Sequence, residues 1–280
     1  MDKKLIDTFI KNAIAEDLGD GDHTSLSTIP SGSVGKAKLL IKEDGILAGV
    51  ELGLEIFRQV DPSLKTEIFL NDGDAVKYGD IALTVEGSSH AILLAERLVL
   101  NCMQRMSGIA TKTNRIVQLL QNYDTRLLDT RKTTPGIRYL EKWAVRIGGG
   151  VNHRIGLYDM ILIKDNHVDY AGGIANAITA ANTYLAAQGK ELDIEIEVRN
   201  LDELDQVLTQ GKVNRIMLDN FSFADLRKAV QLIDHRYTTE ASGGITEKNI
   251  TEYAECGVDY ISMGALTHSV ESLDMSLKAF

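Results

Sequence analysis

Only three prolines (Pro30, Pro62 and Pro135) punctuate the 280 residues. No Pro/Ser-rich or single-sign stretch accompanies them, so no flexible linker is expected and the chain reads as compact throughout. The two cysteines, Cys102 and Cys256, stand far apart and form neither a CxxC nor a zinc-ligand spacing. That excludes a disulfide framework and points to reduced thiols in a cytoplasm. Long hydrophobic runs are missing too. No stretch approaches the roughly 18 apolar residues of a membrane span, and the opening MDKKLIDTFIKNAIAEDLGD mixes charge into its apolar positions, so neither a signal peptide nor an anchor is expected. Positive charge is in deficit, with 30 Lys+Arg against 40 Asp+Glu and a formal net charge of −10. A negative average field repels nucleic acid and anionic membranes alike, while leaving room for a local basic pocket. The motifs for common chemistries are also absent. Without GxGxxG after a strand, HExxH, GxxxxGK[ST] or a Ser-His-Asp order, the dinucleotide-fold, zinc and nucleophilic-hydrolase readings fall away.

What is present is an ordinary globular composition, 44% hydrophobic and 25% charged, long enough for one large domain or two modest ones. Residues 3–17 place Leu5, Ile6, Phe9, Ile10, Ala13 and Ile14 at helical spacing, which predicts a helix ending near Leu18–Gly19, with GDGDHTS following as a turn. From Gly35 to Val85 short β-rich runs (AKLLI, GILAGV, KTEIFL, IALTVEG) surround a helical ELGLEIFRQV. Ala91 to Tyr123 has long helical composition, broken at Ser107–Gly108, where a domain boundary is expected. After Tyr123 the rhythm changes. The runs RLLDTR, MILIKD, DIEIEV, RIMLD, YTTEASGG and YISMG alternate with amphipathic segments at 173–188, 201–208, 223–233 and 247–256. Repeated β then α predicts a parallel sheet closed, or nearly closed, into a barrel, with an open doubly wound sheet as the alternative.

Nearly every predicted strand of this second half finishes on a polar or glycine group: Arg131-Lys132, Lys164-Asp165, Glu197, Asp219-Asn220, Ser242-Gly243-Gly244 and Gly264. In a parallel barrel the C-terminal strand ends converge on one mouth, where active sites are built. One charged residue there is ordinary capping at the solvent boundary, but this many in succession point to a site. Arg131, Lys132 and Lys164, joined by His153-Arg154 from RIGGGVNHR, make the mouth strongly positive inside an acidic protein. A mixture of Arg forks and compact Lys charges suits a small ligand carrying more than one anionic group. Ser242 to Gly244 and Gly264 end the last two strands, where barrels often hold phosphate through backbone N–H groups and a following helix N-terminus. Glycine at a tight strand-to-helix turn accounts for them equally well. Glu197 and Asp219 are the acidic exceptions, able to hold Mg²⁺ bridged to phosphates, to bond sugar hydroxyls, to stabilise developing positive charge, or merely to pair with the lysines. Glu195 shares a strand face with Glu197, and pattern alone does not separate them.

The block TRKTTPGIRYLEKWAVRIGGGVNHRIGLYDMILIKDNH (130–167) resembles the quinolinate phosphoribosyltransferase family. EDLGDGDHTS (16–25), AERLVLNCMQRMSGIAT (95–111), EIEVRNLDEL (195–204), IMLDNFS (216–222), EASGGI (240–245) and GVDYISMGALTHS (257–269) resemble it as well, in its order, so the likeness runs essentially end to end. It implies an N-terminal α/β sandwich domain (1–110) followed by an incomplete parallel α/β barrel (111–280), working as a homodimer or a multiple of dimers. The implied reaction joins quinolinate to 5-phosphoribosyl 1-diphosphate with Mg²⁺, giving nicotinate mononucleotide, pyrophosphate and CO₂ in NAD biosynthesis. On matching motif positions, Arg131, His153, Arg154 and Lys164 would hold the two quinolinate carboxylates, with Thr130 among the substrate-binding residues. Arg97 would reach the same pocket from the neighbouring subunit. Lys132 would contact the diphosphate, Glu197 and Asp219 would lie near ribose and metal, and Ser242, Gly243, Gly244 and Gly264 would take the 5-phosphate. The motif selects Glu197 over Glu195, and it makes Lys132, Lys164, Glu197 and Asp219 the catalytic set. Mg²⁺ would be bound mainly through the substrate phosphates. Arg199 departs from the acidic residue common in relatives and is expected to affect surface charge only.

Other readings stay in view. A paralogue of the same fold associated with molybdenum transport is one, although retention of the whole cationic set favours the transferase. A Schiff-base aldolase would use a lysine ending a barrel strand, such as Lys164. NDGDAVKYGDIALTVEG (71–87) has the turn pattern of biotinyl or lipoyl carriers but lacks their Met-Lys pair. Tyr139, Leu140 and Trp143 read as helix packing, Met103 and Met106 as core or dimer contacts, and His167 as a structural or supporting histidine. His23, His90, His235 and His268 share no metal-ligand spacing.

Overall fold

A computed structural model describes residues 3–280. The chain begins with helices α1 (Lys3–Leu18) and α2 (His23–Thr28), strands β1 (Val34–Ile41) and β2 (Gly45–Ile46), helix α3 (Val50–Val60), and strands β3 (Lys65–Ile68), β4 (Ala75–Val76) and β5 (Ile81–Ser88). Helix α4 (Ser89–Leu119) leads to β6 (Arg126–Leu128), α5 (Arg138–Ile147), β7 (Ile161–Ile163), α6 (Asp165–Ala171) and α7 (Ile174–Gln188). Then follow β8 (Ile194–Val198), α8 (Leu201–Gln210), β9 (Arg215–Asp219), α9 (Phe223–Ile233), β10 (Thr238–Ser242), α10 (Ile250–Ala254), β11 (Tyr260–Ser262), α11 (Ala265–His268) and β12 (Met275–Ala279). Packing divides the chain into two compact units. One comprises Met1–Asn114, Thr133–Gly149 and Thr267–Phe280, the other Arg115–Lys132 and Gly150–Leu266.

The first unit is built on an antiparallel sheet in the order β12-β1-β5-β3. Along β1 a period of two sends Ala37, Leu39 and Ile41 inward, and across β5 they meet Leu83 and Val85. On α3 the period lengthens, burying Val50, Leu52, Gly53, Ile56 and Phe57. Each fully buried side chain of this size contributes roughly 1.5–3 kcal/mol. β12 pairs antiparallel with β1, with Leu277 opposite Leu39, so the C-terminus closes an edge that sequence order leaves open. Met103 and Met106 are fully buried in this same unit, which makes them core.

Three sequence expectations change here. The GDGDHTS turn contains the start of α2, because the Asp22 carboxylate accepts the Ser25 N–H (3.0 Å) and caps the helix. Of the six apolar positions in α1 only Ile10 is buried; Leu5 is 49% exposed, and Phe9 meets Tyr139 edge-on at 6.3 Å between ring centroids. Ser107–Gly108 does not break α4, which runs unbroken for 31 residues. Ser107 Oγ instead donates to and accepts from the backbone of Ala48, while Gly108 is small because the chain at Glu271–Ser272 lies against it.

The second unit is a parallel sheet of six strands in the order β6-β11-β10-β9-β8-β7. The six strands and the helices at 173–188, 201–208, 223–233 and 247–256 appear where the alternation of β and α predicts them, with α10 shortened to Ile250–Ala254. A further bridge, Leu128 to Val151, adds a short parallel segment beyond β6. Strands sit ~4.8 Å apart, so in a flat sheet residues just after Val151, five spacings away, would be about 24 Å from β8. His153 nevertheless lies 2.9 Å from Glu195 on β8 and 3.4 Å from Glu240 on β10. The sheet is therefore curled into a barrel, and it is incomplete, since its hydrogen-bonded ladder runs from β6 to β7 as edges. On β8, Ile194, Ile196 and Val198 face outward to the helical layer while Glu195 and Glu197 point into the barrel.

Candidate functional site

The site is assembled at the C-terminal ends of these parallel strands. Asp129, which follows β6 and is fully buried, accepts the backbone N–H of His153 (2.8 Å) and the amide of Asn152 (2.6 Å). With the Val151–Leu127 backbone bond (2.8 Å), this pins the Gly-rich loop beside the end of β6. The turn after β6 is fixed by Thr130 Oγ1, which accepts the Lys132 N–H at 3.0 Å and leaves Arg131 and Lys132 exposed. Arg154, by contrast, is buried, and its Nη1 donates to the Met160 carbonyl (3.1 Å). Burial first, and the nearby Arg131 charge second, lower the pKa of the Arg154 guanidinium from its usual value. Two cations thus converge on one region, with the Glu195 and Asp159 charges partly offsetting their effect on Arg154.

At the end of β7 the Lys164 N–H donates to His167 Nδ1 (2.9 Å), which opens α6 and gives His167 a structural role. Lys164 Nζ reaches 3.7 Å from Glu197 Oε2 on the adjacent strand. Burial raises the Glu197 pKa, the Asp219 charge raises it further, and Lys164 partly offsets both. Asp219 ends β9 and receives a hydrogen bond from Asn220 Nδ2 (2.6 Å). Asn220 itself is left-handed (φ 56°), and its N–H donates to Ser242 at the end of β10 (2.9 Å). Gly243, at φ +92°, abuts the Asn220 side chain so closely that a Cβ would lie 2.3 Å from Oδ1; only glycine fits. Gly264 stands between β11 and α11. The helix N-terminus expected after Ser242–Gly244 is not there, because α10 begins only at Ile250, and α11 is a four-residue turn. At these turns the donors on offer are backbone N–H groups and the Ser242 hydroxyl, without a helix N-terminus.

Lys164, Glu197 and Asp219 are therefore brought together, Arg131 is set near Arg154, and Ser242–Gly243 lies beside the Asp219–Asn220 turn. Arg97 belongs to the other unit, where it is exposed on the wall of a cavity lined by Phe9, Glu16, Asp17, Asn101 and Cys102. Arg199 forms ion pairs with Glu203 and Asp169 on the surface, in keeping with its expected role. His153 is turned away from the exposed cations. Its Nδ1 accepts the Arg154 N–H (2.7 Å) and its Nε2 faces Glu195. Sequence reasoning missed Asp129, Asn152, Arg215 and Glu240, and residue pattern alone did not separate Glu195 from Glu197.

Comparison with known proteins gives one family. Models described as "Quinolinate phosphoribosyl transferase, N-terminal domain" and "C-terminal domain" match residues 22–107 and 109–278. "Quinolinate phosphoribosyltransferase [decarboxylating] 1b" of Nicotiana tabacum is 47% identical, over 96% of this chain and 81% of its own. "Probable nicotinate-nucleotide pyrophosphorylase [carboxylating]" of Bacillus subtilis is 42% identical, over 98% of this chain and 92% of its own. The solved nicotinate-nucleotide pyrophosphorylase of Francisella tularensis superposes with a TM-score of 0.93 at 38% identity, covering 100% of this chain and 98% of that one.

Proposed function

The chain belongs to the quinolinate phosphoribosyl transferase family, and from that membership we infer how its own residues carry out the transfer. The relatives' two names describe one reaction from opposite ends, phosphoribosyl transfer to quinolinate with decarboxylation and pyrophosphorolysis of nicotinate nucleotide with carboxylation. The chain is thus a pentosyltransferase of NAD biosynthesis, with 5-phosphoribosyl 1-diphosphate as the donor.

The observation that carries the assignment of roles is the convergence of Lys164, Glu197 and Asp219 on neighbouring strand ends, with Arg131 and Arg154 crowding one another nearby. Two guanidiniums and an amine match the two carboxylates of quinolinate, and substrate binding relieves their mutual repulsion. Lys132, exposed on the adjoining turn, is assigned to the diphosphate. Ser242, Gly243, Gly244 and Gly264 take the 5-phosphate through backbone N–H groups. Glu197 and Asp219 fit a divalent cation, since two carboxylates lie close together on adjacent strand ends and the Asp219 charge acts on half-buried Glu197. Mg²⁺ bound there and on the substrate phosphates would neutralise the leaving pyrophosphate. The same two carboxylates face the ribose as positive charge develops at C1, while the cationic pocket holds the pyridine nitrogen in line to attack. Once quaternised, the cationic nitrogen stabilises the electron pair left on C2 as the 2-carboxylate departs as CO₂, and that pair takes up a proton. His153 is buried, with Nδ1 accepting the Arg154 N–H and Nε2 turned toward Glu195, so Lys164, whose side chain is 49% exposed, is the better donor.

A Schiff-base role for Lys164 is disfavoured, because the lysine pairs with a carboxylate instead of lying in an apolar pocket. By the resemblance, Arg97 completes the pocket of a second subunit in a dimer, and its exposed position on a cavity wall supports that reading. Among the described residues no helix is long and apolar enough to cross a membrane. Two buried, unpaired cysteines support a cytoplasmic setting.

The assignment is tested by offering quinolinate and nicotinate separately with phosphoribosyl diphosphate and Mg²⁺. Turnover is expected with quinolinate and at most ~1% of it with nicotinate, since losing a carboxylate removes the anion assigned to the cationic pocket that includes buried Arg154. Product from nicotinate alone would mean that the two-carboxylate pocket is misassigned.

A further inference from the structure

Below the strand ends, inside the barrel, lies a charged cluster that the transfer as derived leaves idle. Glu195 on β8 and Glu240 on β10 have side chains 0% exposed, and Arg215 on β9 lies between them in strand order with its side chain 18% exposed. Arg215 Nη1 donates to Glu240 Oε2 (3.2 Å), and its guanidinium stacks 4.7 Å from the Tyr260 ring centroid on β11. His153 Nε2 sits 2.9 Å from Glu195 Oε2 and 3.4 Å from Glu240 Oε2. The other ring nitrogen, Nδ1, accepts the backbone N–H of Arg154, so the ring's proton resides on Nε2, toward the carboxyls.

Such a cluster is an expensive way to fill a barrel. Effective desolvation penalties run to several kcal/mol per buried ion, and apolar residues of similar volume are often neutral or stabilising in place of a buried pair. Burial holds both carboxyls well above the ordinary carboxylate range, with their mutual proximity adding to the strain on Glu240. Its geometry is a strut. One end is the barrel floor, the imidazole is the rod, and the other end is the peptide that carries Arg154. Asp129 holds the preceding peptide by accepting the His153 N–H.

We propose that Glu195, Glu240 and Arg215 are positioning residues for the quinolinate pocket, acting through His153, whose single tautomer and inward orientation fix the Arg154 peptide and so the guanidinium it presents. The proposal rests on the assignment of Arg154 to a quinolinate carboxylate.

The test uses Glu195→Gln and Glu240→Gln in full-length protein uniformly ¹⁵N-labelled at histidine, with Arg215→Lys as the third variant should either glutamine form fail to fold. Ring nitrogen shifts of His153, assigned against His153→Asn, report the tautomer with no substrate present. In the unmodified protein one Nε2-protonated form is expected. In folded variants we expect tautomer exchange and a KM for quinolinate raised about tenfold, equivalent to ~1.4 kcal/mol, while the KM for phosphoribosyl diphosphate moves less than twofold. Glu195→Asp should recover part of the quinolinate KM. An unchanged tautomer in a folded variant, or equal shifts in both KM values, would overturn the proposal. Because the ring shifts are read without turnover, a protein that binds no quinolinate yet shows the tautomer change would refute the function and leave the strut standing.

Discussion

Lys164→Ala is expected to lower kcat/KM for quinolinate by about 10³-fold while the protein stays folded, and Lys132→Ala should lose activity by about 10²-fold or more. Half of the Lys164 side chain is exposed and its one ion pair, to Glu197, spans 3.7 Å, so little packing is lost. Its contribution to the start of α6 comes from a backbone N–H, which alanine keeps. What disappears is one of the three cations assigned to quinolinate, the counter-charge beside Glu197, and the proposed proton source after CO₂ leaves. Removing the amine should also push the Glu197 pKa further up, because burial and Asp219 then act unopposed. Lys132 differs in being assigned to the diphosphate side, so its loss should fall more on the phosphoribosyl diphosphate KM. Steady-state kinetics with circular dichroism as the folding control separate these outcomes. Full turnover in either variant would sink the assignment of these lysines.

Gly108→Ala is expected to destabilise the protein by about 2 kcal/mol or more, and the effect is structural. A Cβ at residue 108 would lie 2.1 Å from the Glu271 carbonyl oxygen and 3.2 Å from Ser272 Cα, both backbone atoms. That backbone has little freedom to withdraw. Gln104 O accepts the Leu273 N–H (3.0 Å), Gln104 Nε2 donates to Met275 O (3.0 Å), and Lys112 Nζ donates to Ser269 O (2.6 Å), strapping the C-terminal segment onto α4. Overpacking of this kind costs ~3 kcal/mol or more where nothing can yield, against a gain of roughly 0.8–1 kcal/mol from replacing glycine within a helix. Urea unfolding of the variant beside the parent protein measures the difference. Equal midpoints would mean that the strap does not lie against α4.

The same glycine shows how far the sequence could be read. Ser107–Gly108 looks like a helix break because glycine is a poor helix former, but the sequence does not show which segment comes to rest there. Local patterns did better. The six barrel strands were visible as short apolar runs of regular spacing, and the polar groups at their ends marked the mouth, since both signals are carried by consecutive residues. The interior was harder. IEIEV alternates as a half-exposed strand does, yet the barrel encloses both faces, so Glu195 occupies a position that pattern assigns to solvent. Glu240, inside TTEAS, was invisible for the same reason. Long-range closure was equally hidden: β12 joins β1 across nearly the whole chain, and 133–149 packs with the first unit. The motif resemblance proposed roles for the residues of the mouth, but it did not show that His153 turns toward Glu195 inside the barrel.

Joining phosphoribosyl transfer to decarboxylation is the central claim, and a stoichiometry tests it most directly. Quinolinate labelled with ¹³C in its 2-carboxylate is incubated with phosphoribosyl diphosphate, Mg²⁺ and the protein, and labelled CO₂, pyrophosphate and nicotinate mononucleotide are measured together. The three should appear in equal amounts, with no label left in the nucleotide. Pyrophosphate released without labelled CO₂, or a nucleotide that keeps the labelled carboxylate, would contradict it.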